Sequence, residues 1–458
     1  MLTLHTLARP IDDWTLETLQ RDPRQPLSAL QGNILRGHGR FYAAHLLLHF
    51  QPDRRAAVTQ WLRTLAAQLT TAQQQLEETR QSRGLFRAFF LSAHGYAYLD
   101  SAFPRRNPGL HDPAFRAGMK AARHRLNDPL PQTWEPGYQQ DIHAMLLLAA
   151  DDPVALQHDT DLWCASLQLH TTVCAIEHGQ AMRNAHGDRV EHFGYADGLS
   201  QPLFFQSDLA RLKRRGEHLD IWNPGAGPQI ALVPDPYARQ EGACGSYFVF
   251  RKLEQRVRAF KAMEQRLARV LQLTGEATER AGALVVGRFE DGTPIVLQDT
   301  DGRRTNSFTY ADDPDGQRCP WQAHIRKINP RQPGIPTIVR RGITYGTRSA
   351  ESHEAASLSA LPTDGVGLLF MCYQRAIAPQ FEFLQAALAN NPAFPSKQAP
   401  GIDPLIGQPG SQGVGWHRWP NAAGHTQQRP VNFYDFVRLK GGEYFFTPSL
   451  PSLHQIAP

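Results

Sequence analysis

Apolar runs of strand length alternate with stretches at helical spacing in both halves of the chain. Phe41–Phe50 (FYAAHLLLHF) is a near-continuous apolar run and predicts a buried strand. Asp53 then stands at a candidate N-cap position, and Val58, Trp61, Leu62, Leu65 and Leu69 recur at helical spacing. Ile142–Asp152 predicts a second apolar strand. After Pro153, a helical pattern carries Leu156, Leu162, Ala165 and Leu167, and the run TVCAIEHG predicts a further strand. The second half has a similar outline. GSYFVFRKL predicts a strand that runs into a helix bearing Phe260, Met263, Leu267, Val270 and Leu271. GVGLLFMCYQ predicts a strand followed by the helix APQFEFLQAALANN, and GGEYFFTPS a late strand. Two halves of β-α-β character predict an α+β fold built of two sandwiches, each a sheet with helices packed on one face. The Gly/Pro-rich stretch Gln206–Gly245 is the expected hinge, dividing the chain into residues 1–225 and 226–458. A second irregular stretch runs from Pro392 to Pro430, and loops of that length inside a domain are often functional.

Composition narrows the class. A chain of 458 residues is too long for one ordinary core, and 41% hydrophobic with 20% charged residues predicts a packed protein, not a disordered one. The net charge of +5 is mild and its Lys and Arg residues are scattered, which argues against a nucleic-acid partner. The most basic run, RLKRRGEH around Arg211–Arg215, reads as a solvated loop. The five cysteines are odd in number and show no C-x-x-C spacing, so neither a disulfide framework nor a zinc site is expected. Free thiols fit a reducing compartment. The N-terminus lacks a signal-peptide apolar region, and no stretch approaches the roughly 18–20 apolar residues of a membrane helix. A soluble cytoplasmic protein without a membrane partner is expected, and a homo-oligomer is left open.

Three segments carry candidate chemistry. In EHFGYADGLSQP, Gly194 and Gly198 bracket Asp197, and glycines allow turns at positive φ and close approach to a flat ligand. Asp197 is either a turn-former bonding its own backbone or an acid aimed at a ligand. In CPWQAHIRKINPR, His324 is followed by Arg326, Lys327 and Arg331. One histidine among 19 carries little weight, but a cation beside an axial histidine can pair with an anionic cofactor. In IVRRGITYG, two adjacent arginines on a strand face opposite sides, so one can enter a pocket while the other faces water.

Together these segments resemble the dye-decolourising peroxidases. FGYADGLSQP is similar to that family's G-x-x-D-G motif, CPWQAHIRKINPR to its haem-ligand segment and RRGITYG to its distal arginine segment. LQGNILRGHGR, GLLFMCYQ and GGEYFFTPSL resemble further family segments, so the likeness runs from about Leu30 to Leu450. It implies two ferredoxin-like domains with antiparallel sheets, the first carrying the Asp197 segment and the C-terminal one holding haem b (iron protoporphyrin IX). His324 would be the sole iron ligand, and Asp197 and Arg340 would act on hydrogen peroxide through a ferryl intermediate. Arg341 is the alternative if the register slips by one. Arg326, Gly198, Gln201, Leu368 and Phe370 would contact the cofactor. Asp403 is the first candidate to bond the far nitrogen of His324, with Asp435 the second. Tyr345 and Trp321 stand where phenylalanine is expected. Small-molecule reductants such as dyes and phenols would supply electrons, with Trp416, Trp419 and Tyr434 as candidate surface relays. A haem-transport or deferrochelatase-like iron-releasing protein is the competing reading, and a metal-free interaction protein a third.

Overall fold

Strands form where the apolar runs are longest. In the computed structural model, which describes residues 3–79, 81–105, 109–347, 357–396, 398–411, 413–420, 426–428 and 431–456, β1 (Tyr42–Phe50), β2 (Phe86–Ser92), β3 (Ala144–Ala150) and β4 (Thr171–Gln180) make the first unit. Helix α1 (Arg55–Ala66) leads from β1 towards β2, and α2 (Pro153–Leu167) joins β3 to β4. The strands pair antiparallel in the order β2–β3–β1–β4, the arrangement of a ferredoxin-like unit. A second set repeats it: β5 (Cys244–Gln255), β6 (Ile343–Tyr345), β7 (Gly367–Gln374) and β8 (Val437–Thr447) pair in the order β6–β7–β5–β8. Helix α3 (Val257–Val270) follows β5, and a π-wound helix, Ala378–Glu382 continued by Leu384–Ala389, follows β7. The expected α+β class with two ferredoxin-like units is therefore what the chain adopts.

The two sheets do not stay apart. β8 pairs with β2 at Phe445–Ser92 and Phe446–Leu91, and β6 pairs with β4 at Tyr345–Gly179. Eight strands thus close into one ring, which leaves these sheet edges paired rather than open. Both faces of β3 are buried, which is why its sequence reads as an unbroken apolar run. The boundary at 225/226 falls in the connection between β4 and β5, a stretch that also contains the helix Gln206–Arg214. The segment around Asp197 precedes that boundary yet packs on the second unit. Phe193 stacks on Phe260 of α3 at 4.1 Å between ring centres, and the Ala196 N–H donates to the Glu290 carbonyl.

Two local expectations fail for identifiable reasons. Asp53 does not cap α1: it sits in the left-handed region at φ 60°, and Arg54 occupies the N-cap position without a side-chain bond. The face of α2 is also turned. Leu162 is exposed, and the buried face carries Leu156, Asp159, Thr160, Trp163 and Leu167. Asp159 is admitted there because Arg87 of β2 pairs with it at 2.7 Å. No helix among the described residues is long and apolar enough to cross a membrane, and all five cysteines are free.

The row Gly179–Tyr345–Gly367–Glu254 crosses from β4 to β5 through the joint between the units. A Cβ at Gly367 would lie 2.0 Å from the Leu253 carbonyl oxygen, a backbone atom that cannot yield. Gly367→Ala is expected to lower unfolding stability by about 1–3 kcal/mol, the usual range for overpacking. A reduced midpoint in chemical denaturation, with Gly84→Ala as an open-space control for added bulk, checks it.

Candidate active site

Strand alternation builds one wall of a cavity from the second unit. Arg251, Leu253 and Gln255 project from one face of β5, and Leu368 and Phe370 from one face of β7. Helix α4 (Glu279–Val286) contributes Val286 at its end, with Arg288 just beyond. Helix α5 (His324–Ile328) contributes His324, Ile325 and Ile328, and the π-wound helix contributes Phe381, Leu384 and Gln385. The segment from Glu191 to Ser200 and the stretch Ile335–Ile338 with Arg340 add to the lining, as do Trp222, Leu405, Ile406 and Val437. All lining residues lie between Glu191 and Val437 in sequence, although Glu191–Ser200 precedes the second unit.

His324 opens α5 and its Nδ1 lies 2.8 Å from Oδ2 of Asp403. Asp403 is fully buried, and its Oδ1 accepts the backbone N–H groups of Leu405 and Ile406, both at 2.9 Å. Burial pushes this carboxyl upward, but the charge and hydrogen bond of His324 and the two amides outweigh it and hold Asp403 below the usual carboxylate range. Asp435, the other carboxylate considered, is engaged elsewhere: it pairs with Arg256 at 3.0 Å and Arg438 at 2.6 Å.

Arg340 Nη1 lies 3.2 Å from Oδ1 of Asp197, and both side chains are about one-third exposed towards the cavity. Arg340 is placed by a two-residue strand, Val339–Arg340, on the end of β7, and its N–H donates to Oε1 of Gln201. Gln201 therefore acts on the backbone of Arg340 and is not itself part of the cavity lining. Asp197 also receives the Gly198 N–H, and Gly198 takes φ +78° at a point with open space around its Cα. Arg341 points the other way and is part-buried, donating to the carbonyls of Asn33 and Ile34.

Arg326 does not face the cavity. Its guanidinium bonds Asp313 and the Cys319 carbonyl and lies 4.8 Å from the Tyr310 ring centre, so the expected contact between Arg326 and a cofactor is replaced by a structural ion pair. Trp321 also points elsewhere, donating to the Pro314 carbonyl. Tyr345 is buried with the Lys252 ammonium 5.1 Å from its ring centre. Trp416 and Tyr434 are exposed, whereas Trp419 is fully buried, bonds the Val431 carbonyl and packs edge-on to Phe433, which makes it a core residue and not a surface one. Sequence reading missed Arg251, Arg288 and Glu191. The alternation of Arg251, Leu253 and Gln255 along β5 was the available signal for the first.

The donor set suits haem. With Nδ1 of His324 bonded to Asp403, Nε2 is the nitrogen left for iron. The walls are broad and apolar, and buried cations border them. Arg288 bonds only carbonyls and the Asn306 side chain and forms no ion pair among the described residues, while Nη1 of Arg251 is buried without a partner. Such groups fit the two propionates of a haem.

A cavity of this kind on paired ferredoxin-like units defines a haem-binding α+β protein, and comparison with known proteins narrows the class. The family model described as "Dyp-type peroxidase, C-terminal" matches residues 231–394. The multifunctional dye peroxidase DyP2 of Amycolatopsis sp. is 41% identical over 94% of this chain and 96% of its own. The dye-decolorizing peroxidase msp1 of Mycetinis scorodonius is 32% identical over 76% of this chain and 72% of its own. Among solved structures, the DyP-type peroxidase of Anabaena sp. superposes with a TM-score of 0.87 at 38% identity, covering 98% of this chain and 97% of that one. A deferrochelatase of Yersinia pestis is 35% identical over only 22% of this chain and 24% of its own. The chain belongs to the DyP-type peroxidase family and is a haem peroxidase.

Glu191 gives the site a pH signature. Burial pushes its carboxyl from 4.5 up to about 7, opposed by bonds from Phe193, Gln255 and Tyr195 and by the Lys261 charge. A carboxyl raised on folding binds more protons in the native state, so its contribution to stability falls as pH rises from 4.5 through about 7. Glu191→Gln is expected to flatten that slope in the metal-free protein. Unfolding midpoints at pH 5 and pH 8 for both proteins measure it, and parallel profiles would discard the assignment.

Proposed function

We propose that His324 is the iron ligand through Nε2, that Asp197 and Arg340 carry out peroxide cleavage, and that aromatic reductants such as dyes and phenols supply the electrons. Haem supplies the redox-active iron on which hydrogen peroxide is reduced. Asp197 takes the proton from one peroxide oxygen and returns it to the other, which becomes water. Arg340 orients that carboxylate and sets a fixed positive charge where negative charge develops. Asp403 holds the His324 ring and strengthens it as a donor. Leu368 and Phe370 restrict the space near the pair, so that peroxide enters and larger reductants deliver electrons from outside. The free thiols agree with a cytoplasmic location.

The single observation that carries this reading is the Asp197–Arg340 pair at 3.2 Å in the same cavity as His324. A pair this exposed contributes little to stability, of the order of 0–1 kcal/mol. A haem carrier would have no need of it, whereas peroxide cleavage uses both groups.

The test begins with His324→Ala, which is expected to fold and to lose the absorption of bound haem. Retention of a normal Soret band would move the ligand to another histidine. Arg340→Leu is expected to keep haem and to react with stoichiometric peroxide roughly a hundredfold more slowly in stopped-flow mixing. Arg341→Leu should instead lower stability, because its guanidinium ties the segment paired with β7 to the Asn33–Ile34 turn. A normal peroxide rate in Arg340→Leu with a slow one in Arg341→Leu would reverse the two roles.

A further inference from the structure

Helix α5 carries a second buried group that reaches the same loop as His324. Lys327 is fully buried, and its Nζ donates to the carbonyls of Asn391 and Gly401, each at 2.9 Å, and of Phe394. Among the described residues it forms no ion pair. Burial pushes its pKa down to about 7, with the Asp403 charge opposing. An ammonium placed this deep against neutral carbonyls alone is an unfavourable arrangement, and an apolar side chain would fill the space at lower desolvation cost.

Its position shows what it gains. Lys327 lies three residues after His324, on the same side of a helix. His324 meets the loop at Asp403, and Lys327 meets it at Asn391, Phe394 and Gly401. The loop is pinned again around Asp403, whose N–H donates to the Ala389 carbonyl, while Nε2 of His417 bonds the carbonyl of Ile402. The short helix and the loop are therefore tied at two points, one at the His324–Asp403 hydrogen bond and the other at the three carbonyls bonded by Lys327.

We propose that Lys327 is a positioning residue for the proximal pair: its bonds to three loop carbonyls fix the loop so that Asp403 stays bonded to His324 Nδ1. The proposal rests on His324 being the iron ligand. A group that only strengthened the fold would leave the electronic properties of the bound haem unchanged. Lys327 changes them, through Asp403.

Haem-loaded Lys327→Met, Asp403→Asn and the double variant test this by two readouts that need no turnover: the Fe(III)/Fe(II) midpoint potential and the Fe–His stretching frequency of the reduced protein. Lys327→Met is expected to raise the midpoint and lower the stretch in the same direction as Asp403→Asn, and to weaken haem retention by roughly tenfold, the lower end of losses on removing an outer partner. The double variant should match Asp403→Asn alone, because the two residues act on one bond. A wild-type midpoint and stretch in Lys327→Met, or shifts that add in full, would overturn the proposal. If Lys327→Met does not fold, Lys327→Gln has a shorter side chain and only two N–H donors for the three carbonyls; it should shift both readouts the same way by less, and unchanged values again overturn the role. Loss of the Fe–His stretch in His324→Ala is the separate control on the ligand assignment itself.

Discussion

A carboxylate with no access to water must be paired, and at Asp403 that requirement organises the centre of the second unit. Two amides serve one of its oxygens and His324 serves the other. Meeting the constraint decides several things together. It makes Nδ1 the bonded nitrogen and leaves Nε2 for a ligand. It sets the roll of α5, and so turns Ile325 and Ile328 onto the cavity wall while Arg326 leaves it for Asp313. Because α5 has only five residues, its own hydrogen bonds define its direction weakly, and its side-chain anchors do most of the orienting.

The adjacent arginines show how one dipeptide can serve chemistry and assembly together. Alternation on a strand sends Arg340 into the cavity and Arg341 into the protein. Arg341 is part-buried and donates to backbone carbonyls of the turn before β1, so it joins the second unit to the first. The strand Val339–Arg340, which holds the first of them, is only two residues long and relies on β7, with Gln201 accepting the Arg340 N–H. Gln201 and Asp197 belong to one segment, so the carboxylate and the arginine are positioned against each other directly and do not depend on separate domains.

The strands β1, β3, β4, β5, β7 and β8 were legible in the sequence because each is an apolar run long enough to stand out. β2, with the run FRAFFLS, was overlooked, although the ferredoxin-like order is incomplete without it. Three-residue β6 carries too little pattern to read as a separate strand. The face of α2 was misjudged because Asp159 occupies a buried position that only a tertiary partner, Arg87, makes tolerable. In the site, the segments around Asp197, His324 and Arg340 were legible because each is a continuous run. Arg326 was placed wrongly because closeness in sequence was taken for closeness in space: two residues along a helix rotate a side chain by about 200°. Asp403 and Asp435 could not be separated by spacing. Tertiary structure separates them, burying one beside His324 and leaving the other partly exposed between two arginines.

Charge around the cavity explains why an anionic cofactor suits this fold beyond the single iron ligand. Arg340 is balanced by Asp197, and Arg251 by Asp128, though one nitrogen of Arg251 stays without a bond. Among the described residues Arg288 and Arg331 have no carboxylate on either guanidinium; they share Asn306 and flank the Phe308 ring, and burial lowers both to about 10. At neutral pH both remain charged, so Arg288 on the cavity wall, with Arg331 beside it at Asn306, brings positive charge that no ion pair among the described residues answers. Carbonyl dipoles offset part of that penalty, and a ligand with two negative charges would offset more. A small anion could answer the charge but would leave the apolar walls of Leu253, Val286, Phe370 and Leu384 facing water. Only a ligand that is broad and apolar across its body and anionic at one edge meets both demands. The same cavity presents a histidine whose free nitrogen can reach a metal at the centre of such a ligand, and those three properties coincide in haem.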